Sequence, residues 1–388
     1  MRLIIAGGGT GGHLFPGMAV AEEFLSRNSG NQVLFVGTER GIEAHAVPAA
    51  GFRLELISAA GIRGKGVLAK LRGAGMMLNG FRQSRNVLDS FRPDAVLGVG
   101  GYASLPMLLA ARSVGVPSFI HEQNAVPGMT NKLLARVVDR IFITVEESAC
   151  FFPARKTLLT GNPLRRQILN LLVRGSGDGG PGVGDQGPGT RDRKKHDSGF
   201  AGPESPVPDP RFHLLVFGGS QGAHAINLAM VSAMTHLKLS GLCLDITHQT
   251  GEKDCSEVAA AYAALGVKAR ALPFISDMAS EYARADLIIC RAGATTIAEV
   301  TAMGKACLFI PFPHAVDDHQ RKNAEALLGK SACFMLLERE LSGERLAETI
   351  SQMAGDRELV RRTGKLAFGM ARLDAAEIIV NEIAKITT

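Results

Sequence analysis

Twice along this chain a short apolar run leads directly into a cluster of glycines and then into a helix-like segment. Leu3–Ala6 precedes Gly7-Gly8-Gly9-Thr10-Gly11-Gly12, with Gly17 to Leu25 reading as the helix. Phe212–Phe217 precedes Gly218-Gly219-Ser220-Gln221-Gly222-Ala223, with a helix from Ile226 onward. Glycine inside a strand or helix costs roughly 0.5–1 kcal/mol relative to alanine, so both clusters are expected to be turns. A strand, a glycine turn and a helix in that order aim free backbone N–H groups and the positive helix end at an anion. One such turn is an ordinary βα connection. Two of them, each opening one half of the chain, predict two Rossmann-like halves facing each other across a cleft. The spacing is not G-x-G-x-x-G, and no acidic residue is clearly placed to hold a ribose, so a dinucleotide oxidoreductase is disfavoured.

The remaining pattern agrees with an α/β chain. Val33–Val36, Ala95–Leu97, Ser118–Ile120 and Arg140–Ile143 read as short strands separated by helical segments, as in a parallel sheet covered on both faces. The 388 residues leave room for two domains. Between the halves, 16 of the 36 residues from 175 to 210 are Gly or Pro, and little apolar surface remains there to offset the entropy of ordering. The expected division is a first domain over 1–165, a flexible Gly/Pro-rich insertion over 175–210 and a second domain over 211–366. The six cysteines form no C-x-x-C pair and sit mostly in apolar sequence, which suggests reduced, buried thiols in the cytoplasm. No signal segment and no apolar run near 18 residues is expected.

Charge is unevenly placed. Residues 1–165 carry 18 Lys and Arg against 11 Asp and Glu, a balance of +7, whereas residues 211–388 carry 19 against 20. No aromatic residues interleave with the basic ones as a stacking platform for bases would need. Anionic lipid is therefore the expected partner of the basic half, and nucleic acid is not.

Seven segments carry a resemblance: GGGTGGHLFP at 7–16, GVGGYAS at 98–104, HEQNAVPG at 121–128, GNPLR at 161–165, GGSQGA at 218–223, CRAGATTIAEV at 290–300 and DDHQRKNA at 317–324. In this order they resemble the MurG family of N-acetylglucosaminyltransferases, within glycosyltransferase family 28. The likeness spans the whole chain except 175–210, which the family lacks at this length. It implies a GT-B fold, two Rossmann-like domains with the active site between them, and a last helix, over 367–388, returning to the first domain. It implies inverting transfer of N-acetylglucosamine from UDP-N-acetylglucosamine, held mainly by the second domain. The acceptor implied is the 4-hydroxyl of the MurNAc sugar in undecaprenyl-pyrophosphoryl-MurNAc-pentapeptide (lipid I), giving lipid II for peptidoglycan synthesis. A peripheral enzyme on the cytoplasmic face of the inner membrane is also implied, beside the cell-wall synthesis and division machinery and without a cofactor.

Matched residue by residue, the resemblance places Thr10, Gly11, Gly12, Asn124, Arg165, Ser220, Ile275, Ala294, Thr295, Thr296, Ile297, Ala298, Glu299 and Gln320 at the donor. Glu299, expected near the start of a helix, suits the ribose hydroxyls, and Ile275 suits uracil through its backbone. Arg165 and Ser220 suit phosphate; Asn124 and Gln320 suit sugar hydroxyls, since amides both donate and accept. Gly100, Gly101 and Tyr102 are expected at the acceptor's pyrophosphate. The reaction needs a base for the acceptor hydroxyl. His13, ending the first glycine turn, and Glu122, just past the strand Ser118–Ile120, are both candidates, with a slight lean to His13. No D-x-D stands at a strand end, Asp317-Asp318 being the nearest approach, so no metal is expected and turn N–H groups are left to hold the diphosphate.

Val67, Leu71, Ala74, Leu78 and Phe81 fall on one side of a helical wheel, with Lys70, Arg72, Arg82 and Arg85 beside them. That stripe is expected to lie on anionic lipid, although Gly73, Gly75 and Gly80 weaken the helix. Two other functions fit parts of the pattern. A UDP-N-acetylglucosamine epimerase or hydrolase of the same fold would need no membrane face. A non-catalytic UDP-sugar sensor could dispense with His13 and Glu122.

Overall fold

The computed structural model describes residues 1–59, 67–175, 211–219, 222–238 and 241–387, with residues 67–74 and 174–175 described by their backbone alone. Two parallel sheets organise them. The first consists of β1 (Arg2–Gly7), β2 (Gln32–Gly37), β3 (Arg53–Leu56), β4 (Ala95–Gly100), β5 (Ser118–Glu122), β6 (Arg140–Ile143) and β7 (Thr157–Leu159), in the order β3-β2-β1-β4-β5-β6-β7. The second consists of β8 (Phe212–Phe217), β9 (Leu244–Gln249), β10 (Ala269–Leu272), β11 (Leu287–Cys290), β12 (Ala306–Phe309) and β13 (Phe334–Met335), in the order β10-β9-β8-β11-β12-β13. In each sheet the strand order reverses beside the strand that opens the half: β1 lies between β2 and β4, and β8 between β9 and β11.

Parallel strands read as unbroken apolar runs because both sheet faces are covered. In β1, Leu3 and Ile5 join one core cluster while Ile4 and Ala6 join another on the opposite face. In β11, Leu287 and Ile289 divide from Ile288 and Cys290 in the same way. The helices of the first half are α1 (Gly11–Arg27), α2 (Glu43–Ala49), α3 (Val67–Phe91), α4 (Ser104–Ser113), α5 (Met129–Leu134) and α6 (Arg166–Gly175). Those that follow are α7 (His224–Leu237), α8 (Cys255–Ala264), α9 (Met278–Arg284), α10 (Ala294–Ala302), α11 (His319–Leu328), α12 (Gly343–Gly355), α13 (Arg357–Phe368) and α14 (Ala375–Thr387). Ile379, Val380 and Ile383 of α14 are buried with Leu3 and Val20, so this last helix packs on the first sheet.

Several sequence expectations need correction. Helix α1 begins at Gly11 rather than Gly17, taking in two glycines and Pro16. The first helical turn tolerates Gly11 and Gly12, because its N–H groups have no partner within the helix in any case, whereas Pro16 lies in the second turn and removes one helical hydrogen bond. Strand β5 runs through Glu122, so that residue is in the strand and not past it. Glu299 is in the second turn of α10, away from the helix start. The glycines of α3 do not interrupt it. Gly80 instead lets the helix approach the Ser58 carbonyl, where a Cβ would come within 2.2 Å of the oxygen. Only Cys290, Cys307 and Cys333 are buried, whereas Cys150 and Cys243 are exposed. Residues 176–210 of the expected insertion lie outside the described residues.

Candidate active site

The two switch points, where strand order reverses, are where open α/β sheets leave a crevice for ligands. At the first, β1 and β4 both end in glycine and their turns interlock. Gly8 N–H donates to the Gly100 carbonyl at 3.2 Å. A Cβ on Gly7 would lie 2.2 Å from the Gly100 oxygen, and one on Gly101 would lie 2.4 Å from the Gly8 oxygen. Both glycines have positive φ, +146° and +83°, so side chains are excluded by space and by backbone conformation together. Part of this turn's donor capacity is already committed. Glu43, buried on α2, accepts from Gly9 N–H at 2.6 Å and from the Thr38 amide and hydroxyl at 3.0 Å each. The donors left at the turn include the N–H groups of Thr10, the N-cap of α1, and of Gly11 and Gly12 at its positive end.

His13 follows them, half-buried, with its ring against Gly100: a Cβ there would come within 2.7 Å of Nδ1. Nδ1 lies 2.9 Å from Gln123 Oε1, and Nε2 makes no hydrogen bond to a described residue. Gln123 and its neighbour His121 are buried, and burial pushes the His121 imidazole down to about 4, so it is neutral at physiological pH. Glu122 is placed differently. Its carboxylate accepts from Asn124 N–H and Nδ2 at one oxygen and from Gly128 N–H and Asn131 Nδ2 at the other. Both oxygens are occupied, by the loop that follows β5 and by Asn131 of α5. Tyr102, beside the half-buried Gly101, is 58 % exposed at the rim.

Of the donor-side residues, Arg165 and Thr295 contact α1 directly. Arg165 and Glu299 form a bidentate pair, Nε to Oε1 at 2.5 Å and the second nitrogen to Oε2 at 2.7 Å, and the Tyr282 hydroxyl donates to Oε2 at 3.1 Å. The Arg165 guanidinium also lies over the Phe15 ring of α1, 5.2 Å from its centroid. Thr295 Oγ1 donates to the Gly12 carbonyl at 3.2 Å. Asn124 Oδ1 accepts from Asn323 Nδ2 at 3.2 Å, while Asn323 Oδ1 accepts from Ala125 N–H at 2.9 Å. Ile275 N–H is taken up by Gln249 Oε1 at 2.7 Å, and Gln320 Oε1 by Phe312 N–H at 3.0 Å. Ala294 and Thr296 open α10, whereas Ile297 and Ala298 turn their side chains to the core, leaving only backbone for a ligand. Ser220 lies outside the described residues.

The lipid-facing stripe is only partly visible. The side chains of Lys70, Leu71 and Arg72 lie outside the described residues. Leu78 is 54 % exposed and Arg82 is exposed, while Arg85 donates to Ser113 Oγ at 3.0 Å. Phe81 differs from expectation: it packs partly against the core of the first half, because α3 rests on α4 there. No helix among the described residues is long and apolar enough to cross a membrane. Nor does any group of three or more His, Cys, Asp or Glu among them have a metal-holding arrangement.

Sequence reasoning missed Glu43, Gln123, Tyr282 and Asn323. Gln123 sits inside the HEQNAVPG segment and could have been found there. Glu43 gives no local signal, being 34 residues from the turn that it braces.

Comparison with known proteins is consistent across the chain. Residues 3–143 match the model of the glycosyltransferase family 28 N-terminal domain, and residues 213–377 that of its C-terminal domain. The chain is 76% identical over 383 residues, 99% of each chain, to the UDP-N-acetylglucosamine--N-acetylmuramyl-(pentapeptide) pyrophosphoryl-undecaprenol N-acetylglucosamine transferase of Pelobacter propionicus. It is similar in structure to Acinetobacter baumannii MurG, with TM-score 0.73, 31% identity and 99% of each chain covered. A UDP-GlcNAc 2-epimerase from Neisseria meningitidis, solved with UDP-GlcNAc, aligns at TM-score 0.65 and 13% identity, over 99% of this chain and 100% of that one. The last likeness reflects the shared GT-B fold alone.

Proposed function

The chain belongs to glycosyltransferase family 28, and from that premise we propose that it transfers N-acetylglucosamine from UDP-N-acetylglucosamine to lipid I, releasing UDP and lipid II. The observation that carries the reading is that α1, with His13 in its first turn, also meets the Arg165–Glu299 pair, the Arg165 guanidinium lying over its Phe15 ring. His13 Nε2 takes the proton of the MurNAc 4-hydroxyl. That oxygen forms its bond to the anomeric carbon as the bond from this carbon to the diphosphate breaks, and UDP departs with the electron pair. Attack opposite the leaving group inverts the anomeric centre.

The departing diphosphate is held by N–H groups at the N-terminus of a helix and by Arg165, which need no reorganisation at the moment of reaction. Donor binding exchanges partners within the bidentate pair: the guanidinium turns to phosphate and the Glu299 carboxylate to the ribose hydroxyls. Glu122 shapes the loop that carries Asn124 toward the sugar. Gly100, Gly101 and Tyr102 receive the acceptor's pyrophosphate, and Leu78, Arg82 and Arg85 belong to the face that meets anionic lipid. The epimerase reading is left with the fold alone, and the sensor reading does not account for the placement of His13.

The test is transfer of labelled sugar to lipid I in vesicles, with the product linkage read by NMR. A β-linked product, formed with chelator in excess and faster on anionic than on zwitterionic vesicles, is expected. Release of free sugar or its epimer without lipid-linked product would overturn the reading.

A further inference from the structure

Between His13 and the interior of the first sheet runs a chain of hydrogen bonds whose direction is fixed by backbone carbonyls. A carbonyl oxygen only accepts. The Gly161 oxygen lies 3.1 Å from His121 Nε2, so that nitrogen carries the proton, with Thr144 Oγ1 at 3.5 Å from the same atom. His121 is neutral in its buried site, which leaves Nδ1 with a lone pair. Gln123 Nε2 lies 3.1 Å from this Nδ1 and 2.9 Å from the Val99 oxygen, so its two N–H bonds are both placed.

The amide cannot be turned over. Reversal would set Gln123 Oε1 against the Val99 oxygen and the bare His121 nitrogen, three acceptors with no proton among them. The amide oxygen therefore faces His13 Nδ1 at 2.9 Å. An amide oxygen also only accepts, so His13 Nδ1 must be the protonated nitrogen.

We propose that Gln123 is a positioning residue that holds His13 in its Nδ1–H form, so that the lone pair of the neutral ring is at Nε2, on the side of the cleft. This rests on the reading of His13 as the base and adds what makes it one. Imidazole in water favours the opposite form, with the proton on Nε2, which could not accept a proton from the acceptor hydroxyl at that atom. Gln123, 2% exposed and anchored at its far end to Val99 and His121, opposes that preference. Once Nε2 is protonated, the same amide oxygen continues to accept from Nδ1–H. A neutral amide orients the ring without adding the negative charge by which a carboxylate would raise the ring's affinity for a proton.

The experiment is nitrogen–proton correlation NMR on the full chain labelled with 15N at histidine, with His13 assigned by comparison with His13→Ala. The expected spectrum has His13 protonated at Nδ1 with a bare Nε2. Gln123→Met, which can neither donate nor accept at these atoms, is expected to shift His13 toward the Nε2–H form. It should lower kcat roughly 10²-fold or more while KM for UDP-N-acetylglucosamine changes little. A wild-type spectrum showing Nε2–H at neutral His13 overturns the proposal, and that result does not depend on Gln123→Met folding. A folded Gln123→Met with unchanged tautomer and kcat overturns it as well. Full activity in His13→Ala alongside an Nδ1–H spectrum would instead remove the base and leave the tautomer assignment standing.

Discussion

At the scale of single residues, what matters is which atoms the neighbours leave free. Glu122 has four donors on its two oxygens, and taking a proton would cost it hydrogen bonds that shape its own loop. His13 has one nitrogen engaged and the other open. The sequence supports only a slight lean to His13, because the donors that occupy Glu122 come from residues 124 to 131 and depend on how the loop and the start of α5 fold back. Gly100 bears on the same site. Its φ is +97°, and a Cβ would lie 2.7 Å from His13 Nδ1. Gly100→Ala is therefore expected to push the imidazole off its position and cut kcat by about 10²-fold, the scale of a 1 Å misplacement of a reacting group. Steady-state kinetics would check it, and a variant with wild-type kcat would show that the ring position does not depend on this contact.

At the scale of elements, α1 was the least legible part of the first half. Gly11, Gly12 and Pro16 all read as helix breakers, yet they fall where a helix can carry them. Pro16 has no N–H, so the Gly12 carbonyl one turn earlier lacks its helical partner. The Thr295 hydroxyl of α10 supplies the missing donor at 3.2 Å. A gap in one helix thus becomes a point of attachment between the two halves, and no local pattern could announce a partner 283 residues away. Thr295→Val is expected to lose about 1 kcal/mol of stability by leaving that carbonyl unpaired, whereas Thr295→Ser keeps it. Urea unfolding of the two variants reads this directly, and equal stabilities would contradict it. Six strands were legible in the sequence, β6 and β8 to the residue and β1, β2, β4 and β5 short by one to three residues at an end, because burial on both faces demands continuous apolar runs.

At the scale of the whole molecule, two buried histidines tie stability to pH. Burial lowers His121 to about 4 and His248 to about 3. In the unfolded chain both titrate near 6.5. Below that value the unfolded state binds protons that the folded state refuses, so the stability present at neutral pH is lost as pH falls from 6.5 toward the folded values. For His121 alone the loss reaches about 3 kcal/mol at pH 4. Urea midpoints measured from pH 7.5 to 5 should decline steadily, and a flat profile would show that these rings ionise in place. His248 lies in the second half, held by Tyr262 and Asn227, so both sheets contribute to the effect. The architecture was legible from the repeated strand, turn and helix; its polar interior was not, since which histidine is buried depends on packing across the sheet.

The measurement that tests the central claim most directly is single-turnover transfer from UDP-N-acetylglucosamine to a lipid I analogue by wild type, His13→Ala and Glu122→Gln at saturating substrates. Expected is a loss of roughly 10²–10⁴-fold for His13→Ala with donor affinity retained, and a much smaller effect for Glu122→Gln. His13→Ala turning over at the wild-type rate, or Glu122→Gln alone losing transfer while still binding donor, would contradict the account.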